Sequence, residues 1–139
     1  MAKERTLAII KPDAVSRGLQ GEILSRIHQA GFAIVAIESH RLTKEEAEGF
    51  YAVHKERPFF GELTKFMSSG KVVIMALEAD GAIARWRDLM GATDPAKAAP
   101  GTLRQLFGTS IQNNCTHGSD APETAAFELG YFFSGRQLI

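Results

Sequence analysis

Apolar residues along this chain follow two different periods, and the switches between them mark its elements. Thr6–Ile10 is an unbroken β-favouring run that ends at Lys11-Pro12-Asp13, where a proline without an N–H stops the strand. Over Arg17–Ala30 the spacing changes: Leu19, Ile23, Ile27 and Ala30 fall on one face of a helix, which Gly31 closes. Phe32–Ile37 reads as a second strand. Thr43 with Glu46 three positions on forms a capping box and opens a helix through about His54. Phe59–Met67 is helical and ends in Ser68-Ser69-Gly70; Val72–Leu77 is apolar at every position and predicts a well-buried third strand. Asp80-Gly81 starts a helix with Ile83, Trp86 and Met90 on one side. Pro95, Pro100, Gly101 and Gly108 make the stretch from Gly91 to about Gln112 loop-like. Asn114–Ser119 forms a fourth short strand, and Asp120 caps a last helix with Pro122 in its first turn, running through Glu128 to Phe133.

Helical segments interleaved with four strands predict an α+β fold: a mixed sheet with helices on one face, in the manner of a ferredoxin-like sandwich. The pattern leaves the strand order open. With 139 residues, no repeat and no linker, positions 1–139 are expected to form a single domain.

Charge and composition narrow the function classes. Sixteen basic residues balance sixteen acidic ones, so no overall field attracts nucleic acid or an anionic membrane. The charged start, Met1-Ala2-Lys3-Glu4-Arg5, does not read as a signal peptide, and no apolar run approaches the roughly 20 residues that span a bilayer. Cys115 is the single cysteine, which excludes an internal disulfide and a Cys-based zinc site. A cytoplasmic protein is expected.

The candidate chemistry centres on His117, in the run Asn114-Cys115-Thr116-His117-Gly118-Ser119-Asp120. Imidazole is neutral and nucleophilic near pH 7; Gly118 removes a side chain that would crowd an incoming group, and Ser119 offers an orienting hydroxyl. Such a histidine can take up a phosphoryl group and pass it on. Lys11, Arg87 and Arg104 each stand where an element meets a loop, and each could face phosphate oxygens, Arg with a fork and Lys as a point charge. Spacing alone does not bring them together. No P-loop or dinucleotide fingerprint occurs, so any phosphate site must be built from side chains.

Five segments, in order, resemble the nucleoside diphosphate kinase family. They are Glu4–Asp13, Gly49–His54 with Arg57–Phe60, Arg87–Pro95, Pro100–Arg104 and Asn114–Asp120, the last matching the pattern N-x-x-H-G-S-D. The resemblance runs from Arg5 to Phe133. It implies a four-stranded antiparallel sheet with helices packed on it. It further implies ping-pong transfer of the γ-phosphoryl group from a nucleoside triphosphate to a nucleoside diphosphate, through phosphohistidine on His117 and with broad base specificity.

Residue by residue, the resemblance places Arg87, Thr93 and Arg104 on the nucleotide phosphates and Lys11 and Asn114 on the sugar hydroxyls. Phe59 matches the aromatic that stacks on the base, an interaction that reads no base edge. Glu128 matches the carboxylate that orients the imidazole, with Ser119 beside it and Tyr51 close by. Mg²⁺ is expected to ride mainly on the nucleotide phosphates and water, with no protein metal site. A homo-oligomer built from dimers, tetrameric or hexameric, is also implied. His54 reads as a helix-surface residue near the rim, and His28 and His40 as solvated. Leu106, Trp86 and Lys71 depart from the usual pattern, and Leu106 bears on the order of a loop carrying Arg104. A regulatory binding module and a phosphohistidine carrier are the alternatives, and neither needs a base-stacking, phosphate-gripping set.

Overall fold

In the computed structural model, which describes residues 3–139, four strands form one sheet in the order β2-β3-β1-β4, every neighbouring pair antiparallel. Met1 and Ala2, the start of the charged N-terminus, lie outside the described residues. The strands are β1 (Lys3–Ile10), β2 (Ala33–Arg41), β3 (Lys71–Asp80) and β4 (Thr116–Gly118). Seven helices accompany them: α1 (Pro12–Ser16), α2 (Gln20–Gln29), α3 (Lys44–Phe50), α4 (Phe60–Met67), α5 (Ala82–Met90), α6 (Leu103–Phe107) and α7 (Pro122–Phe132). This is the expected ferredoxin-like α+β architecture.

Both faces of the sheet are covered, where the pattern alone predicted helices on one face, and the sheet is wholly antiparallel, as the resemblance implied and the pattern alone did not. The alternation along β1 shows why. Ala8 and Ile10 point into a core with Ile23 and Ile27 of α2 and Trp86 and Met90 of α5. Leu7 and Ile9 point the other way, against Phe50 of α3, Met67 of α4 and Leu129 of α7. A strand buried on both faces has no polar face to show, which accounts for the unbroken apolar run of β3.

Several boundaries move for local reasons. The helix expected over Arg17–Ala30 is the shorter α2, which starts at Gln20 after Gly18 turns the chain at φ 72°; a separate helix, α1, precedes it with Pro12 in its first turn. The Thr43–Glu46 capping box is present, but α3 ends at Phe50, and Ala52–His54 is a separate 3₁₀ turn. The stretch read as loop contains a 3₁₀ turn, Pro95–Lys97, and helix α6, whose N-cap Thr102 accepts from the Gln105 N–H. Asp120 does not cap α7. The N-cap is Ala121, and the Thr124 hydroxyl takes the Asp120 and Ala121 N–H groups at 3.2 and 2.9 Å.

β4 is only three residues long, and its register against β1 positions the site. Ile9 stands opposite His117, so the imidazole leaves the sheet on the Ile9 face, toward α3 and α7. Just before it, Cys115 adopts φ 66°, and the Thr116 N–H reaches back to the Asn114 carbonyl at 2.9 Å, a tight γ-turn. This strained turn is clamped: Asp13 Oδ2 accepts from the Cys115 N–H at 3.1 Å, and the Lys11 N–H donates to the Cys115 carbonyl at 2.8 Å.

Candidate active site

A cavity of about 610 Å³ opens where the end of β1, β4, α5 and the segment from Tyr51 to Leu63 meet. His117 lines it from β4. Glu128 of α7 lies behind, its Oε1 3.1 Å from His117 Nε2, and the same oxygen accepts the Ser119 hydroxyl at 2.8 Å. Ser119 is fully buried and in turn accepts the Leu7 N–H at 3.1 Å. A chain of bonds thus runs from the β1 backbone to the imidazole. A carboxylate can only accept, so Nε2 carries the proton, and Nδ1, unpartnered among the described residues, keeps its lone pair. Phe50 and Tyr51 meet the imidazole edge-on, with centroids at 5.3 and 6.1 Å. Tyr51 lines the cavity without a hydrogen bond from its hydroxyl to any described residue; burial raises its phenol pKa and keeps it protonated.

Lys11 is nearly buried at the end of β1. Its ammonium donates to Asn114 Oδ1 at 2.7 Å and to the Gln112 carbonyl at 2.9 Å, beside the face of Phe66. Burial pulls its pKa down to about 8, against the opposing pull of the nearby Asp13. The Asn114 amide donates in turn to the Thr93 carbonyl at 3.0 Å, which ties the segment bearing Thr93 to the floor of the cavity. Burial likewise pushes the Cys115 thiol up to about 11, which leaves it unreactive.

Arg104 sits on α6, not in a loop. Its guanidinium donates to three backbone carbonyls: Asn114 at 3.3 Å, Gly91 at 3.0 Å and Thr116 at 2.8 Å. Three of its five N–H groups are thereby used, which leaves two for a ligand. Its aim is set by these carbonyls, so Leu106, with 41% of its surface exposed, is not needed to order it. Arg87 projects from α5 and pairs with Asp120 at 2.7 Å; both line the cavity, with Thr93 on the same wall. Phe59, 49% exposed, stands at the mouth as the residue before α4.

Every candidate site residue therefore lines the cavity or, for Ser119 and Glu128, braces its wall. Further residues join it, Asp120 and His54 among them. Asp120, relieved of capping, pairs with Arg87. His54 lies on the 3₁₀ turn, lines the cavity and packs against Phe59 with ring centroids 5.6 Å apart, rather than sitting on a helix surface. The spacing of His54 from Tyr51 signalled this only if the helix ended early. His40 is not simply solvated: it lies 3.2 Å from the Glu46 carboxylate.

Gly118 has a different reason from the one its sequence context suggests. A Cβ there would come within 2.5 Å of Trp86 Cδ1 and 2.7 Å of Met90 Cε, so the missing side chain makes room for the core and not for an incoming group.

Known proteins resemble this chain over nearly its whole length. The family described as nucleoside diphosphate kinase matches residues 4–138. The nucleoside diphosphate kinase of Desulfotalea psychrophila is 61% identical over 136 residues, covering 98% of this chain and 99% of that protein. That of Bradyrhizobium diazoefficiens is 59% identical over 139 residues, covering 100% and 99%. The crystal structure of the Aquifex aeolicus nucleoside diphosphate kinase superposes with a TM-score of 0.96 at 49% identity, covering 99% of this chain and 100% of that one. That of the Halobacterium salinarum enzyme in complex with CDP gives 0.94 at 39% identity, covering 99% and 92%. On these matches the chain belongs to the nucleoside diphosphate kinase family.

Proposed function

We propose that His117 Nδ1 is the nucleophile of a nucleoside diphosphate kinase that moves the γ-phosphoryl group from a nucleoside triphosphate to a nucleoside diphosphate. The observation that carries this is the pairing of His117 Nε2 with Glu128, which leaves Nδ1 as the free nitrogen of a histidine lining the cavity. The Nδ1 lone pair attacks the γ-phosphorus, and the bond to the β–γ bridging oxygen breaks with its electrons leaving on the diphosphate. In the second half, a β-phosphate oxygen of the acceptor attacks, and the N–P electrons return to Nδ1. No proton need move. Glu128 stabilises the positive charge that the ring carries while phosphorylated.

Arg87, Thr93 and Arg104 hold the phosphates, Lys11 and Asn114 the sugar hydroxyls, and Phe59 stacks on the base. The CDP bound to the Halobacterium relative supports a nucleotide in this cavity. Because Phe59 offers a π face and no base-edge donor, base specificity is broad. Among the described residues no group of three or more His, Cys, Asp or Glu is placed to hold an ion. The cavity's accessible carboxylates, Glu62 and Asp120, suit instead the water shell of a hard cation that arrives on the phosphates. Mg²⁺ carried in this way would neutralise charge on the phosphates that Arg87, Thr93 and Arg104 hold. Transfer is expected to require it.

The chain acts as a single domain over residues 1–139. No described helix is long and apolar enough to cross a membrane, and the cytoplasm is the compartment we infer. A homo-oligomer built from dimers, tetramer or hexamer, is supported by the edge strand β2, which exposes Ile34 and Ile37. Sedimentation would give its size.

Incubation with γ-labelled ATP and Mg²⁺, followed by GDP, tests the reaction. Acid-labile, base-stable label on wild-type protein that leaves as GTP, and no label on His117→Ala, is the expected result. Label that stays on the protein after GDP indicates a phosphohistidine carrier, and no label at all indicates a binding module.

A further inference from the structure

Trp86, the only tryptophan in the chain, touches the nucleophile from the side of the sheet opposite its imidazole. The His117 side chain leaves β4 on the Ile9 face, whereas Trp86 is fully buried in the opposite core with Ala8 and Ile10. From there its indole N–H donates to the His117 backbone carbonyl at 3.1 Å. Phe32 fixes the ring edge-on, with centroids 6.2 Å apart. The indole also occupies the space that a side chain at 118 would fill, so β4 rests directly on it.

β4 needs such a support. It is an edge strand of three residues, paired only with β1 and entered through the strained turn at Cys115. Arg87, next to Trp86 in the sequence and on the same helix, lines the cavity, and Met90, one turn further on, meets Gly118 and lines it too. Helix α5 therefore carries one contact to the nucleophile's backbone and one to the phosphate site, on a single rigid element.

We propose that Trp86 is a positioning residue: through its hydrogen bond to the His117 carbonyl it sets the height of Nδ1 over the phosphate site defined by Arg87. This rests on His117 being the nucleophile. In-line attack is sensitive to displacements well below the size of an atom, so the contribution is expected in the transfer rate and not in nucleotide affinity.

The experiment compares wild type with Trp86→Phe and with a protein carrying the benzothiophene analogue of tryptophan at position 86. In the analogue sulfur replaces the indole N–H at nearly constant shape, so it reports even if Trp86→Phe fails to fold. Single-turnover phosphorylation of His117 by ATP and Mg²⁺ and the Kd for ADP are measured well below each melting temperature. The expected result is a rate lowered about 10- to 100-fold with the ADP Kd within about 2-fold of wild type. A rate unchanged in the analogue, whatever its melting temperature, overturns the proposal and leaves Trp86 a core residue. Parallel loss of rate and ADP affinity also overturns it, since that would be a disturbance of the whole site. Wild-type protein that takes no label removes the His117 reading itself, an outcome distinct from both.

Discussion

His117 Nε2 lies 3.1 Å from Glu128 Oε1, and that same oxygen holds the Ser119 hydroxyl at 2.8 Å, so one carboxylate oxygen fixes both the tautomer and the tilt of the imidazole. Glu128→Gln keeps the shape but removes the charge and offers an amide N–H₂ that can face Nε2. Such a flip would move the proton to Nδ1. Phosphorylation of His117 in this variant is expected to fall about 10²-fold with nucleotide affinity little changed. Rapid-quench measurement of the phosphoenzyme gives the number, and a rate within about 3-fold of wild type would reduce Glu128 to a packing role.

Phe59 is half exposed and caps no core cluster, so its removal should leave the fold intact. Loss of the stacking face weakens binding by about 1–3 kcal/mol per base. Phe59→Ala is therefore expected to raise the Kd of ADP, GDP and CDP to a similar extent, read by calorimetry. A loss confined to purines would show that the base is recognised by an edge contact instead.

Lys11 couples the site to pH. Its pKa is about 8 in the folded chain against 10.5 when free, so between those values the unfolded chain binds more protons and stability rises with pH. Below pH 8 the burial penalty is fully present; above 10.5 it is gone. The whole contribution is of order 3 kcal/mol. Denaturant melts at pH 7.5 and 10 should show this gain in wild type and lose it in Lys11→Met. Nucleotide affinity should move the opposite way, weakening above pH 8 as the ammonium discharges.

The fold was legible wherever a period ran long enough to be seen. The face Leu19-Ile23-Ile27 and the unbroken β3 run each specify an element and its burial, and the Thr43–Glu46 box marks a helix start to the residue. Short elements were less legible. α6 has five residues between breakers, too few for a period, while the strand expected over Asn114–Ser119 is present but trimmed to the three residues Thr116–Gly118, which pair with β1. Asp120 shows the same limit at one side chain. An Asp before Ala-Pro reads as a cap, but Thr124 reaches back first, and the carboxylate goes to Arg87. The matching motifs named residues that line or brace the cavity, whereas the bonds between them were not legible. Nothing in the sequence indicates that Arg104 grips three backbone carbonyls or that Gly118 yields space to Trp86.

Those three carbonyls decide what substitution of Arg104 will do. A planar fork reaches Gly91, Asn114 and Thr116 together while keeping two N–H groups for phosphate; a single ammonium cannot span them. Retaining the charge is therefore not enough. Arg104→Lys leaves at least one carbonyl without its partner, at about 1–3 kcal/mol for each buried group left unpaired. It is expected to lose stability and to lower the transfer rate nearly as far as Arg104→Ala. Leu106→Asp should change activity by less than about 2-fold, because α6 is capped by Thr102 and the guanidinium is aimed by backbone and not by its neighbour at 106. Melting curves and kcat/KM for the three variants check this together. Wild-type activity in Arg104→Lys would mean that charge alone serves the phosphates, and a several-fold gain in Leu106→Asp would mean that the α6 segment is not ordered by the contacts described.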